Sequence, residues 1–219
     1  TQLFLRSDLQ PDAIEAWNGR AVRSLFGSPS NTDSPWLLMI RFGDVEAAVR
    51  WQVAKVQEIG PGSGGHILGI LSAEESEAFW QQAAGAREIR AHGPEALIKC
   101  SVLYQSAAET ADRLQALGQQ VKAQTSVYCH AGTYVLHGRY EWNPGEEPPA
   151  QELRKGFLAL REHCLSAGGH LVVEKVRPEV KNGLDVWGYD APALKIMRSI
   201  KQEFDPKGLL NPGRFVGGI

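Results

Sequence analysis

The chain has 219 residues, 43% of them hydrophobic and 22% charged, with a net charge of −2 and three cysteines. That length buries a real core, in one domain of two halves or in two small ones. The charge balance gives no footing for nucleic acid or an anionic membrane as partner, no apolar run approaches spanning length, and the N-terminus carries no signal-peptide pattern. Cys100, Cys129 and Cys164 are scattered and odd in number. Cys100 and Cys129 fall inside apolar strand patterns, so a reducing, cytoplasmic setting is expected. The chain starts at Thr1 without an initiator Met and reads as a piece of a longer protein.

Residues 1–34 are weakly patterned and read as a lead-in segment. Trp36 to Phe42 suits a strand. Asp44 is placed to cap a helix in which Val45, Val49, Val53 and Val56 share a face. Pro61 to Gly65 reads as a loop and His66 to Leu71 as a second strand. Ser72 and Glu75 form a capping box for a helix carrying Phe79 and Trp80. Residues 1–95 thus read as a β-α-β unit plus a helix, the first half of the domain.

Residues 96–176 are more sharply patterned. Ala96 to Leu103 is a strand, and Ser106 with Glu109 spells a second capping box. The helix that follows keeps Ala107, Ala111 and Leu114 on one side and stops at Gly118. Gln124 to His130 and Thr133 to Trp142 are strands joined by a tight turn, and Asn143 to Pro149 is a loop. A long helix with Leu153, Phe157, Leu160 and Cys164 in register ends at Gly168 and Gly169, and His170 to Val176 is the last strand. The order β-α-β-β-α-β predicts an α+β fold: a ferredoxin-like antiparallel sheet, its first and third strands central, both helices on one face, with the first half read as a degraded duplicate of the unit.

Alternation along these strands separates two faces. Ile98, Cys100, Val102, Val127, Cys129, Leu136, Leu171 and Val173 belong under the helices. The opposite face gathers Lys99, Tyr128, His130, His137, Arg139, His170 and Glu174. That is an unusual concentration of imidazoles and cations for a solvated face. Neither glycine patch, Gly60 to Gly65 or Gly168 to Gly169, makes a dinucleotide fingerprint, and there is no phosphate-binding loop.

Residues 177–219 hold a polar loop, a terminal helix and a tail. Leu194, Met197, Ile200, Lys201 and Phe204 recur at helical steps, with Asp190 placed as the cap and Pro192 in the first turn. The stretch Asp205-Pro206-Lys207-Gly208-Leu209-Leu210-Asn211-Pro212-Gly213-Arg214 then stops the helix and turns.

A helix followed by this stretch at the C-terminus resembles the end of the FAD-linked oxidases of the vanillyl-alcohol oxidase type. The Arg form of the motif, with Gly168-Gly169-His170, is most similar to the small flavin subunit of bacterial glycolate oxidase. The resemblance covers roughly residues 36–219 and none of the family's N-terminal FAD-binding domain. It implies that the helix and tail return from a cap domain to a flavin domain, with Asn211 and Arg214 near the flavin. It implies that the helix-free face of the sheet forms the substrate site. Ile98 to Leu103 matches the family strand whose Lys or Arg meets the substrate carboxylate. His130-Ala131-Gly132 with His137 matches a motif that places two histidines on a metal in the 2-hydroxyacid branch. His170 matches an active-site His of a Glu-His-Gly motif.

Two departures stand out: Gly169 replaces the carboxylate ligand, and Arg139 stands where that branch tends to have Asn. No resident metal is therefore expected, zinc being the alternative if Glu141 or Glu174 joined the two histidines. The resulting expectation is the cap of an FAD-dependent oxidoreductase acting on a small 2-hydroxy acid such as glycolate or D-lactate. Lys99, Arg139 and Tyr128 bind the substrate, and His170, or His130 with His137, accepts the proton. The expected partners are an N-terminal FAD-binding domain and other oxidase subunits, an iron–sulfur subunit among them. The alternative is a non-catalytic assembly or binding subunit of a multi-subunit glycolate oxidase.

Overall fold

The computed structural model describes residues 7–26, 36–62, 64–85, 94–188 and 191–219. They build an α+β fold on one six-stranded antiparallel sheet in the order β2-β1-β4-β5-β3-β6. The strands are β1 (Ala13–Asn18), β2 (Trp36–Arg41), β3 (Glu95–Ser101), β4 (Gln124–His130), β5 (Val135–Glu141) and β6 (His170–Lys175). The helices are α1 (Gly19–Phe26), α2 (Glu46–Gly62), α3 (Ala73–Gly85), α4 (Ala107–Gln120), α5 (Ala150–Ser166), the short α6 (Pro178–Lys181) and α7 (Ala191–Phe204). Among the described residues no helix is long and apolar enough to cross a membrane.

The run β4-β5-β3-β6 is the expected ferredoxin-like order, with β3 and β5 inside it. Ile98, Cys100, Val127, Leu136, Tyr140 and Leu171 bury one face against Leu114 of α4 and Phe157 of α5. All three cysteines lie free and buried. Two aromatic polar tips are satisfied on α4, one mid-helix and one at its C-cap: the Tyr140 hydroxyl donates to Leu114 O at 3.1 Å and Trp142 Nε1 to Val121 O at 2.9 Å. Gly118 does not stop α4. It lies inside the helix, where a Cβ would sit 1.7 Å from Thr125 Oγ1, so the glycine lets α4 press onto β4.

The first half departs from its expected β-α-β pattern. Residues 13–18 are a strand that pairs with β2 on one side and β4 on the other. Asn18 secures the junction: its Oδ1 accepts from Ala21 N at 3.0 Å and Val127 N at 3.1 Å, and its Nδ2 donates to Thr125 O at 3.1 Å. His66 to Leu71 is not a strand; it has no ladder partner among the described residues, and Ile67, Leu68, Ile70 and Leu71 are exposed. The first half is therefore no copy of the ferredoxin-like unit. It is a two-strand extension with its own helices.

Those helices also correct the expectation of helices on one face only. Ala21 and Val22 of α1 and Ala83 of α3 bury Trp17, Met39 and Tyr128 on the opposite side of the sheet, with Phe79 and Trp80 beside them. These helices cover the β2-β1-β4 part of that face around Trp17 and Tyr128. The Ser72–Glu75 box forms as expected, Ser72 N donating to Glu75 Oε2 at 2.8 Å and Glu75 N to Ser72 Oγ at 3.3 Å. The Ser106–Glu109 box does not. Ser106 makes no side-chain cap, and Glu109 instead accepts from Arg113 Nε at 2.9 Å one turn on. The proposed cap Asp190 lies outside the described residues.

Candidate active site on the open sheet face

Cross-strand pairing lays this face out as a grid. One row runs Glu15, His130, Val135, Ser101, His170; the next runs Trp17, Tyr128, His137, Lys99, Val172. Ser126, Arg139 and Leu97 form a third. Lys99, His130, His137, Arg139 and His170 thus share one face, and Cys100 and Val127 lie on the other. His130, His137, Lys99 and His170 describe an arc around Val135 and Ser101, both half-buried.

The arc does not bring all three histidines together. His130 and His137 are neighbours, ring centroids 5.8 Å apart and interplanar angle 82°. His170 stands three strand spacings from His130, about 14 Å. Lys99 lies directly across from His137 and has no ion-pair partner among the described residues.

Glu15 and Glu95, absent from the expected site, and Glu174, expected there, meet His130, Arg139 and His137. Glu15, buried in β1, takes Nδ1 of His130 on its Oε1. Glu174 approaches Nδ1 of His137 at 3.5 Å. Arg139 is buried, its Nε 3.6 Å from Glu95 Oε2, while Glu95 Oε1 takes Lys175. Glu95 is thus a salt-bridge partner of Arg139, and Glu141 lies 3.7 Å from Arg20. Lys175 reaches this face because β6 is bulged: Val173 pairs with Ile98 and Lys175 with Leu97, so Glu174 and Lys175 together oppose one position. Strict alternation assigns Lys175 to the wrong face, and nothing in the local sequence marks the bulge. Glu15 escapes sequence reading because β1 does. Tyr128 is buried edge-on to Trp17, centroids 5.1 Å apart, and helps line a small pocket with Leu97, His137, Arg139 and Glu174.

Gly169 is fixed by contact. A Cβ there would sit 1.8 Å from the backbone oxygen of Ser101, so no side chain, and no carboxylate, fits on this backbone. Among the described residues no three His, Cys, Asp or Glu side chains converge as metal ligands. His130 and His137, each facing a carboxylate at Nδ1, present Nε2 as metal-ligating histidines do, but two imidazoles without a third described ligand make an incomplete site.

The C-terminal tail is an ordered turn. Asp205 accepts from Leu209 N and Leu210 N, both at 2.9 Å, and pairs with Lys201 at 2.6 Å; Lys201 Nζ also donates to Leu210 O at 2.6 Å. The lysine and the two amides hold the Asp205 carboxyl down to about 2. Asn211 takes the left-handed conformation at φ 45°, and Asn211 and Arg214 are both exposed. Leu194 and Met197 turn inward, whereas Ile196, Ile200 and Phe204 form an exposed apolar stripe continued by Leu209 and Leu210. The pocket beside Tyr128 has a cavity volume of about 20 Å³, far below the roughly 300–1,000 Å³ usual for a ligand site.

A family model described as FAD linked oxidases, C-terminal domain, matches residues 2–215. No curated protein matches the chain.

Proposed function

This chain belongs to the FAD-linked oxidase C-terminal domain family, and on that premise we propose that it is the substrate-binding cap of an FAD-dependent enzyme oxidising a small 2-hydroxy acid such as glycolate or D-lactate. One observation carries the reading: Lys99, which has no ion-pair partner among the described residues, lies on the same open face as the His130–His137 pair. An ammonium without a carboxylate partner, bordered by imidazoles, suits a small anion bearing a hydroxyl. In this reading Lys99 meets the substrate carboxylate, with Arg139 one row behind it and shared with Glu95. Tyr128 and Val135 shape the floor. An imidazole accepts the hydroxyl proton, a task suited to a group that titrates near neutral pH. His130 or His137 serves a hydroxyl over the centre of the arc, and His170 serves one at the β6 end. FAD, when bound, supplies the hydride acceptor.

Asn211 and Arg214 are proposed to face the flavin, and the Ile196–Ile200–Phe204 stripe to dock on the N-terminal FAD-binding domain. Further oxidase subunits, an iron–sulfur subunit among them, and a cytoplasmic setting belong to the same proposal. Anaerobic bleaching tests it. The chain joined to its flavin-binding domain should lose its 450 nm band on adding glycolate or D-lactate, and an unchanged band with both acids overturns it. The sealed position of Gly169, which admits no carboxylate, favours a second reading as a non-catalytic assembly subunit. That reading predicts no bleaching but continued assembly.

A further inference from the structure

Glu15 is a carboxylate that the reading above leaves without a task. It sits mid-strand in β1, paired with Met39 on one side and His130 on the other. Its side chain is nearly sealed from solvent, which is costly for an ionised group unless donors meet it. Two do. Trp17 Nε1 donates to Oε2 at 3.2 Å, and His130 Nδ1 meets Oε1. Trp17 is itself almost fully buried, edge-on to Tyr128 and packed by Ala21 and Val22. The indole therefore fixes one carboxylate oxygen, and the strand fixes the backbone, so the other oxygen has one place to be.

An ionised carboxylate only accepts hydrogen bonds. A neutral His130 facing it must carry its hydrogen on Nδ1 and its lone pair on Nε2. His137 has the same kind of partner, but Glu174 is 3.5 Å away and its side chain is 36% exposed against 9% for Glu15, so its hold is looser. We propose that Glu15 is a positioning residue that locks His130 in the tautomer whose Nε2 accepts the substrate hydroxyl proton, making His130 rather than His137 the base. This rests on the proposed oxidation of a 2-hydroxy acid. As the O–H bond breaks, its proton goes to Nε2. The α-hydrogen leaves with its electron pair to the flavin, and the carbonyl forms. The Glu15 charge then faces the new imidazolium and stabilises it.

The tautomer can be read without turnover. In the chain labelled with 15N-histidine, with His130 assigned by His130→Gln, neutral-pH spectra should show a protonated Nδ1 and a bare Nε2. Glu15→Met should move His130 toward the Nε2–H form, whereas Glu15→Gln, which keeps an acceptor oxygen, should restore the wild-type pattern. A wild-type His130 already protonated on Nε2, or a folded Glu15→Met protein with an unchanged tautomer, overturns the proposal. The wild-type spectrum decides even if Glu15→Met does not fold. In the flavin-loaded protein Glu15→Met should lower kcat roughly 10–100-fold with little change in KM, and an unchanged kcat also overturns it. Absence of turnover in the wild type defeats the oxidation reading alone, and the spectra still decide whether Glu15 sets the tautomer.

Discussion

Arg139 and Lys99 face the same way, yet the molecule holds them differently. Arg139 is buried against Glu95, and its loss leaves that carboxylate to Lys175 alone. Breaking a buried pair from one side costs about 3–5 kcal/mol, so Arg139→Met should lower unfolding stability in urea by roughly the lower figure, because Lys175 remains. Lys99→Met, with no pair to break, should stay within about 0.5 kcal/mol of wild type. Equal losses in the two variants would show that the burial difference has no energetic meaning. At this scale the sequence was informative about which residues share a face and silent about their partners. Alternation placed Lys99, His137 and Arg139 together, because two-residue periodicity survives in regular strands. It could not supply Glu95 as partner of Arg139, since Glu95 precedes the strand recognised at Ala96, nor Lys175, which depends on the bulge. Gly169 was visible as a departure, but its cause, the Ser101 carbonyl pressed against it, exists only in three dimensions.

The elements divide along similar lines. The ferredoxin-like half was legible because α4 and α5 keep long apolar faces and its strands are bounded by turn residues. β1 was not. Ala13 to Asn18 has few β-formers, carries a buried Glu15, and is held by Asn18 and by strands distant in sequence. His66 to Leu71 has the composition of a strand but pairs with none of the described strands, and composition cannot report that. The α4–α5 seam carries a pH dependence no motif announces. His163 Nε2 lies 2.9 Å from the Thr110 hydroxyl, and burial, then Arg113, lowers its pKa against the opposing pull of Glu109. A lowered pKa means the unfolded chain binds the proton more readily. Stability is therefore intact above about 6.5, the unfolded value, and declines as pH falls from there toward the folded value. The urea midpoint should drop between pH 8 and pH 5, and His163→Gln should flatten that slope relative to wild type. An identical slope in the variant would remove the seam from the account.

On the scale of the whole molecule, one end of the sheet is covered by α1 and α3, the other carries the open arc, and the terminal helix bears an exposed apolar stripe. The tail that follows is held by Asp205. Because its pKa is depressed to about 2, the contribution is present above the unfolded value of about 3.9 and is lost as pH falls through about 2. Asp205→Asn should loosen the turn at neutral pH, exposing Leu209 and Leu210 to chymotrypsin while the melting temperature of the core barely moves. Resistance equal to wild type would mean that Lys201 alone orders the tail. The central claim concerns Lys99 as the carboxylate anchor, and competing substrates test it most directly. In the chain joined to its flavin-binding domain, kcat/KM for glycolate should exceed that for ethylene glycol, which offers the hydroxyl without the carboxylate. A hydrogen bond to a charged group contributes about 1.5–3 kcal/mol, so Lys99→Met should shrink that preference roughly 10- to 150-fold while leaving the diol reaction nearly unchanged. If the variant keeps the full preference for the acid, Lys99 does not hold the carboxylate and the site has been assigned to the wrong residues.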